Sequence, residues 1–153
     1  SFHSRFSATS RSYRYFLYPN LTPPAHLMNY IWPLRRSPNL RVLNEMAACL
    51  QGELDCTTFA AAGDASPSKF RYIESAVFYP QGDQIVFEIA ANAFLWKMVR
   101  SIVGSLVFYE ALGRNGAFFK EILEAKDRSL AGPTAPPQGL FLWNVNFDGI
   151  RRH

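Results

Sequence analysis

The chain has 153 residues, 48% of them apolar, with 16 Lys and Arg against 12 Asp and Glu for a formal charge of +4. This length and composition suit one globular domain, 1–153, with a substantial core, and exclude an intrinsically disordered segment. No apolar run approaches the roughly 20 residues of a membrane span, so no membrane partner is expected, and the basic balance points to an anionic one.

The chain opens without Met, in Phe2-His3-Ser4-Arg5-Phe6. That reads as the interior of a longer protein, in an extended conformation. Residues 12–18, SYRYFLY, are rich in aromatics and predict a strand. Its alternation puts Tyr13, Tyr15 and Leu17 on one face and Arg14, Phe16 and Tyr18 on the other. Prolines at 19, 23, 24, 33 and 38 break regular structure, so residues 19–38 are expected to form a long Pro-rich loop. Its Arg35-Arg36 pair reads either as a phosphate contact or as plain surface. Asn39 suits an N-cap for a helix to about residue 51, with Leu43, Met46, Ala47 and Leu50 as its buried stripe and Gly52 as its stop. Residues 53–62 give no clear signal, and 63–68 read as a loop. Residues 71–79 and 84–91 flank Gly82-Asp83, which predicts a hairpin with Ile85, Phe87 and Ile89 on one face.

The strongest periodicity follows. Phe94, Leu95, Met98, Val99, Ile102, Val103, Leu106 and Val107 repeat at helical spacing, which predicts a long helix over 93–112. Arg100 falls off this stripe, on the face of Lys97, Ser101 and Gly104. A mid-helix Gly costs about 1 kcal/mol relative to Ala, so Gly104 marks a place where something approaches closely. The same spacing also fits an ordinary solvated face. Gly113 stops the helix, and Asn115 caps a shorter one to residue 126. Residues 132–139 are a Pro-rich loop. A closing strand over 140–147 should place Phe141, Trp143, Val145 and Phe147 on one side and Leu140 and Leu142 on the other. The order gives an α+β domain of the split βαβ (ferredoxin-like) type, an antiparallel sheet covered by helices on one face. The opposite face would be open to a ligand.

Of the 16 basic residues, 12 are Arg, the side chain suited to phosphate contact and base stacking. RNA or DNA is therefore the expected partner, with Arg5, Arg11 and Arg14 as candidate RNA-binding residues near the N-terminus. His3, His26 and His153 are scattered, and Cys49 and Cys56 form neither a disulfide framework nor a metal pattern, so no metal site is expected. A cytoplasmic setting follows from the same cysteine usage. No Ser-His-Asp set, HExxH, Walker A or GxGxxG stands out, and most carboxylates fall at helix ends, turns or exposed strand positions. The residues taken alone give a basic α+β domain with no visible catalytic set.

Four stretches occur in this order: FHSRFSATSRSYRY (2–15), GELDCTTF (52–59), NAFLWKMVRSIVGSL (92–106) and AKDRSLAGPTAPPQGLFLWNV (125–145). Together they resemble the C-terminal half of the tRNA pseudouridine synthase A (TruA) family, over nearly the whole chain. The resemblance implies isomerisation of uridine to pseudouridine in the tRNA anticodon stem-loop, with no metal or organic cofactor. It also implies two split βαβ domains whose sheets meet along a basic cleft, usually in a homodimer. By position it implies that Tyr13 stacks on the target uracil, that Arg100 pairs with the catalytic aspartate, and that Leu140 forms the apolar wall of the uracil pocket. The family's nucleophilic Asp lies in an Arg-Thr-Asp-Ala-Gly context in the N-terminal half, and this chain has no Thr-Asp pair. A C-terminal domain is therefore expected, one that binds tRNA, works with its own N-terminal domain and is inactive alone. Trp96-Lys97 departs from the family, where basic or polar residues are usual, and Cys56 stands where an aromatic is common.

Two other readings compete. A stand-alone RNA-binding module of the RRM type shares the split βαβ order, but the SYRYFLY strand lacks the glycines of its RNP1 motif. A purely structural dimerisation domain would fit the aromatic-rich composition.

Overall fold

A computed structural model of the chain describes residues 8–147, so the opening stretch and Arg5 lie outside the described residues. Strand β1, Ala8–Tyr18, is the centre of the sheet. Residues 19–38 are looped but not featureless, since they hold a 3₁₀ turn at Ala25–Leu27 and a two-residue strand β2, Trp32–Pro33. β2 pairs in parallel with the end of β1, Leu17 opposite Trp32. Pro33 is tolerated there because an edge position needs no further N–H donor, and Ile31 and Leu34 are buried on either side.

Helix α1, Leu40–Ala47, is capped by Asn39, whose side chain accepts from the Val42 amide. A 3₁₀ turn at Ala48–Leu50 completes the expected span, and Leu43, Met46, Ala47 and Leu50 are all fully buried. The unassigned stretch that follows is strand β3, Gly52–Asp55, and a 3₁₀ turn at Thr57–Phe59. Four residues are too few to show a period. The hairpin forms as β4, Phe70–Gln81, and β5, Gln84–Ala91, with Gly82 at φ +60° in the turn. In β5, Ile85, Phe87 and Ile89 are buried together, but so is Val86 on the opposite face. Strand β5 lies between β1 and β4, where Val86 is flanked by Phe16 and Tyr79.

Helix α2, Met98–Ala111, starts five residues later than its apolar spacing predicts. Asn92 keeps the chain in sheet-like pairing, its amide donating to the Tyr72 carbonyl (3.1 Å) and its side-chain oxygen accepting from the Tyr72 amide (2.9 Å). Lys97 then takes φ +60°, which no helix interior allows. Phe94 and Leu95 do pack on the core, but from a turn rather than from the helix. Helix α3, Gly116–Ala125, is capped by Asn115 and closed by Lys126 in the left-handed region. Strand β6, Leu140–Phe147, returns to β1.

β6, β1, β5 and β4 lie side by side and antiparallel, with β3 beyond β4. This is the split βαβ order, and the three helices cover one face. Tyr15, Leu17, Phe87 and Ile89 from the sheet meet Met46, Met98, Ile102, Leu106 and Phe119 from the helices in one core. One expectation for β6 fails. Its register slips by one residue between Ser12 and Tyr13 of β1, leaving Trp143 as the extra residue. Beyond such a bulge every side chain changes face. Val145 therefore pairs with Arg11, on the helix-covered face, rather than sharing a side with Phe141.

Candidate functional site

The site is built around the start of α2 and a strap that crosses it. The strap, residues 132–136, is tied to the helix at Gly132 and Ala135 and to β1 at Pro136. The Ala135 amide donates to the Arg100 carbonyl (3.0 Å) and the Arg100 Nε donates to the Ala135 carbonyl (2.8 Å). The Gly132 amide donates to the Ser105 hydroxyl (2.8 Å), and the Tyr15 hydroxyl donates to the Pro136 carbonyl (2.6 Å). Gly104 is what lets the strap lie so close. A Cβ there would stand 1.8 Å from the Pro133 carbonyl oxygen. The close approach that the mid-helix Gly signals is thus made by the chain's own loop.

Beside this junction lies a cleft of about 550 Å³, lined by Arg11, Tyr13, Leu95, Trp96, Lys97, Arg100 and Leu140 among others. The lining carries three cations and no carboxylate. A guanidinium pair and an ammonium converging on one concave surface suit an anion or the phosphate backbone of a nucleic acid. Arg100 is half-buried. Its Nε is fixed on Ala135, and its two terminal nitrogens make no hydrogen bond among the described residues. Tyr13 is half-buried, with Phe94 edge-on at 5.0 Å between ring centroids. Its hydroxyl has no hydrogen bond among the described residues. Tyr15, two residues along the same face, is fully buried, and burial raises its hydroxyl well above the usual value near 10 while the Arg100 charge pulls the other way. Leu140 packs partly against the core at the cleft wall.

The structure therefore brings Tyr13, Leu140, Arg100 and Arg11 into one cleft. Arg14 is on the other face of the sheet. Its Nε donates to Glu88 (2.9 Å) and its guanidinium sits 4.3 Å over the Trp143 ring. Two residues of the cleft escaped the sequence reading, Trp96 and Lys97. Helical spacing put Lys97 on a solvated helix face, whereas it occupies the left-handed position that ends the turn. The only signal that could have marked them was their departure from the family pattern.

The Trp96 amide donates to the Asp64 carboxylate (3.3 Å), which also accepts from the Ser66 amide (2.7 Å) and pairs with Lys69 (3.1 Å). The hydrogen bonds from Ser66, and then Lys69, hold that carboxyl well below the usual carboxylate range. A second, smaller cleft of about 240 Å³ meets the first at Lys97 and adds Ser101, Arg128 and Thr134. Burial pushes both thiols up, Cys56 to about 12, so neither cysteine is poised as a nucleophile. Among the described residues, no three His, Cys, Asp or Glu side chains are grouped to hold a metal ion. No helix among them is long and apolar enough to cross a membrane.

Residues 46–148 match the family model described as tRNA pseudouridine synthase. The chain is 58% identical over 145 residues to a Treponema denticola protein named tRNA pseudouridine synthase A, covering 95% of this chain and 54% of the relative. It is 50% identical over 131 residues to the Treponema pallidum protein of that name, covering 86% of this chain and 47% of the relative. A Borreliella afzelii relative of the same name is 42% identical over 154 residues, covering 97% of this chain and 60% of its own length. The chain thus spans about half the length of the curated relatives it matches.

Proposed function

The chain belongs to the tRNA pseudouridine synthase family, and from that premise we propose that it is the uracil-pocket half of an enzyme acting on the tRNA anticodon stem-loop. The observation that carries this reading is the convergence of Tyr13, Arg100 and Leu140 on one cleft lined by cations and by no carboxylate. In the reaction the N1–C1′ bond of uridine breaks, the uracil turns, and a C5–C1′ bond forms. The proton on C5 is lost and N1 gains one, so nothing is consumed.

Each residue has a part in that sequence. Tyr13 stacks on the uracil once it has left the helical stack. Leu140 closes the pocket on its apolar side. Arg100, anchored through Nε, offers its two terminal nitrogens to the nucleophilic aspartate supplied by the N-terminal half of the enzyme. Such a pair keeps the carboxylate ionised and oriented. Arg11, with Lys97 beside it, contacts the phosphates, while Arg14, committed to Glu88 and Trp143 on the other face of the sheet, takes no part in this cleft. The working enzyme is a homodimer in the cytoplasm, a compartment that suits the two free thiols.

The test uses unmodified tRNA. This chain alone should bind it with steep salt dependence, each phosphate contact adding about 0.7 to 0.9 to the slope of log affinity against log salt, and should form no pseudouridine. Adding the N-terminal half of a relative should restore turnover in wild type but not in Arg100→Lys, since Lys cannot reproduce a two-point contact. Turnover by the chain alone, or full turnover by the restored Arg100→Lys variant, would defeat the proposal.

A further inference from the structure

Trp96 has no part in the uracil pocket, yet it is the most exposed large apolar side chain among the described residues, at 63%. It stands on the rim of the cleft that holds Tyr13 and Arg100. An indole this exposed presents a large apolar ring face to a ligand entering the cleft.

The rim is also held still. The Trp96 amide is tied to Asp64, and Asp64 is itself fixed by Ser66 and Lys69. Lys97 is locked in the left-handed region, and its ammonium lies 4.5 Å over the indole ring. The cation occupies one face of the ring and leaves the other for a flat partner. An aromatic ring carried on an anchored backbone beside a cation, on the edge of a cation-lined cleft, is how single-stranded nucleic acid is gripped.

We infer that Trp96 is a second stacking platform, which takes the base next to the target uridine when that uridine moves into the cleft. The inference rests on the proposed tRNA substrate. Withdrawing one base from a stack leaves its neighbour without a partner on that side. An indole on the cleft rim supplies the missing face and so lowers the cost of opening the loop. Stacking of this kind tolerates any base, because every base has a π-face. Trp96 therefore contributes to grip and not to sequence choice.

The test is a cycle on this chain with an anticodon stem-loop RNA. One axis is Trp96→Ala, with Trp96→Phe as the conservative variant and thermal melting as the check on folding. The other axis is an abasic nucleotide placed on the 5′ or the 3′ side of the target uridine. Trp96→Ala should weaken binding by about 5- to 150-fold, the range for loss of one base–aromatic stack, and Trp96→Phe should largely restore it. At one of the two neighbours the abasic RNA should bind wild type as weakly as Trp96→Ala binds the intact RNA, with no further loss when the two are combined. Replacing that base by any other base should leave affinity unchanged.

Equal binding by wild type and Trp96→Ala would overturn the inference alone. So would losses that simply multiply at both neighbours. Failure of wild type to bind the stem-loop at all would overturn the tRNA reading, and this inference with it.

Discussion

Helix α2 carries one charged, inward-leaning residue at each end, and the two are treated in opposite ways. At the C-terminal end Glu110 is buried, 8% exposed, and saturated: Arg36 Nη2 donates to one oxygen (2.8 Å) and the Asn39 amide to the other (3.1 Å). At the N-terminal end Arg100, which lines the cleft, is fixed by a single bond from Nε to a backbone carbonyl, and its terminal nitrogens have no hydrogen-bond partner among the described residues. Glu110 is a brace that joins the loop before α1 to the helix. Arg100 is held in place but left unfinished. On the role proposed for Arg100, the difference teaches how to tell a structural charge from a functional one. The first has its partners within the fold, whereas the second is oriented by one bond and keeps its terminal nitrogens unpaired among the described residues.

Substitutions can sharpen that contrast, and the largest effect should come from between the two ends. Gly104→Ala forces a methyl group to within 1.8 Å of the Pro133 carbonyl oxygen, a backbone atom. Overpacking of this sort costs about 1 to 3 kcal/mol, and the upper end is expected because no flexible side chain can yield. Urea denaturation measures it, and wild-type stability would show that the strap moves freely.

The brace comes next. Arg36→Ala strands a buried carboxylate, whereas Glu110→Gln strands a guanidinium that is 53% exposed and rehydrates easily. Arg36→Ala should cost about 2 kcal/mol, short of the 3 to 5 for a fully buried pair, and Glu110→Gln about half as much. Arg100→Gln should stay within about 0.5 kcal/mol of wild type. A loss at Arg100 as large as at Arg36 would erase the distinction between the two ends.

An effect close to that of Glu110→Gln is expected at Tyr15, whose hydroxyl ties β1 to the strap. Tyr15→Phe should cost about 1 kcal/mol by loss of the bond to Pro136. Burial raises the folded-state value of this hydroxyl, so the unfolded chain ionises first, near pH 10. The Tyr15 contribution is therefore complete below pH 10 and falls as pH climbs beyond it. Denaturation midpoints from pH 8 to 11 should drop less steeply in Tyr15→Phe than in wild type.

Much of this architecture was legible in the residues. Asn39 and Asn115 signalled both caps, Gly82-Asp83 the hairpin, and the alternation around Tyr15 and Leu17 the central strand. The failures have physical causes. The apolar spacing at Phe94 and Leu95 was real, but a left-handed residue at Lys97 delivers those side chains to the core from a turn, and spacing does not record φ. The bulge at Trp143 inverted the faces of β6, and nothing in an alternating pattern announces one extra residue. For the cleft, Arg100, Tyr13 and Leu140 entered through the family resemblance. Their meeting point depends on backbone carbonyls of the strap, which have no letter in the sequence. Arg14 shows the limit of reading charge along the chain, since alternation sends it to the opposite face from Arg11.

The strand order has a consequence for the making of the protein. β1 is the first described strand and β6 the last, yet they lie edge to edge, Arg11 opposite Val145. On the ribosome, β1 gains β5 as a neighbour when that hairpin emerges, but its other edge, apart from the short pairing of Leu17 and Tyr18 with β2, stays bare until β6 has been synthesised. A nascent chain in this state presents an aromatic strand edge to any passing partner. The contact that covers it is among the most distant in sequence, and such contacts form slowly. Ribosome-bound chains stopped before β6 should be the form most in need of chaperones.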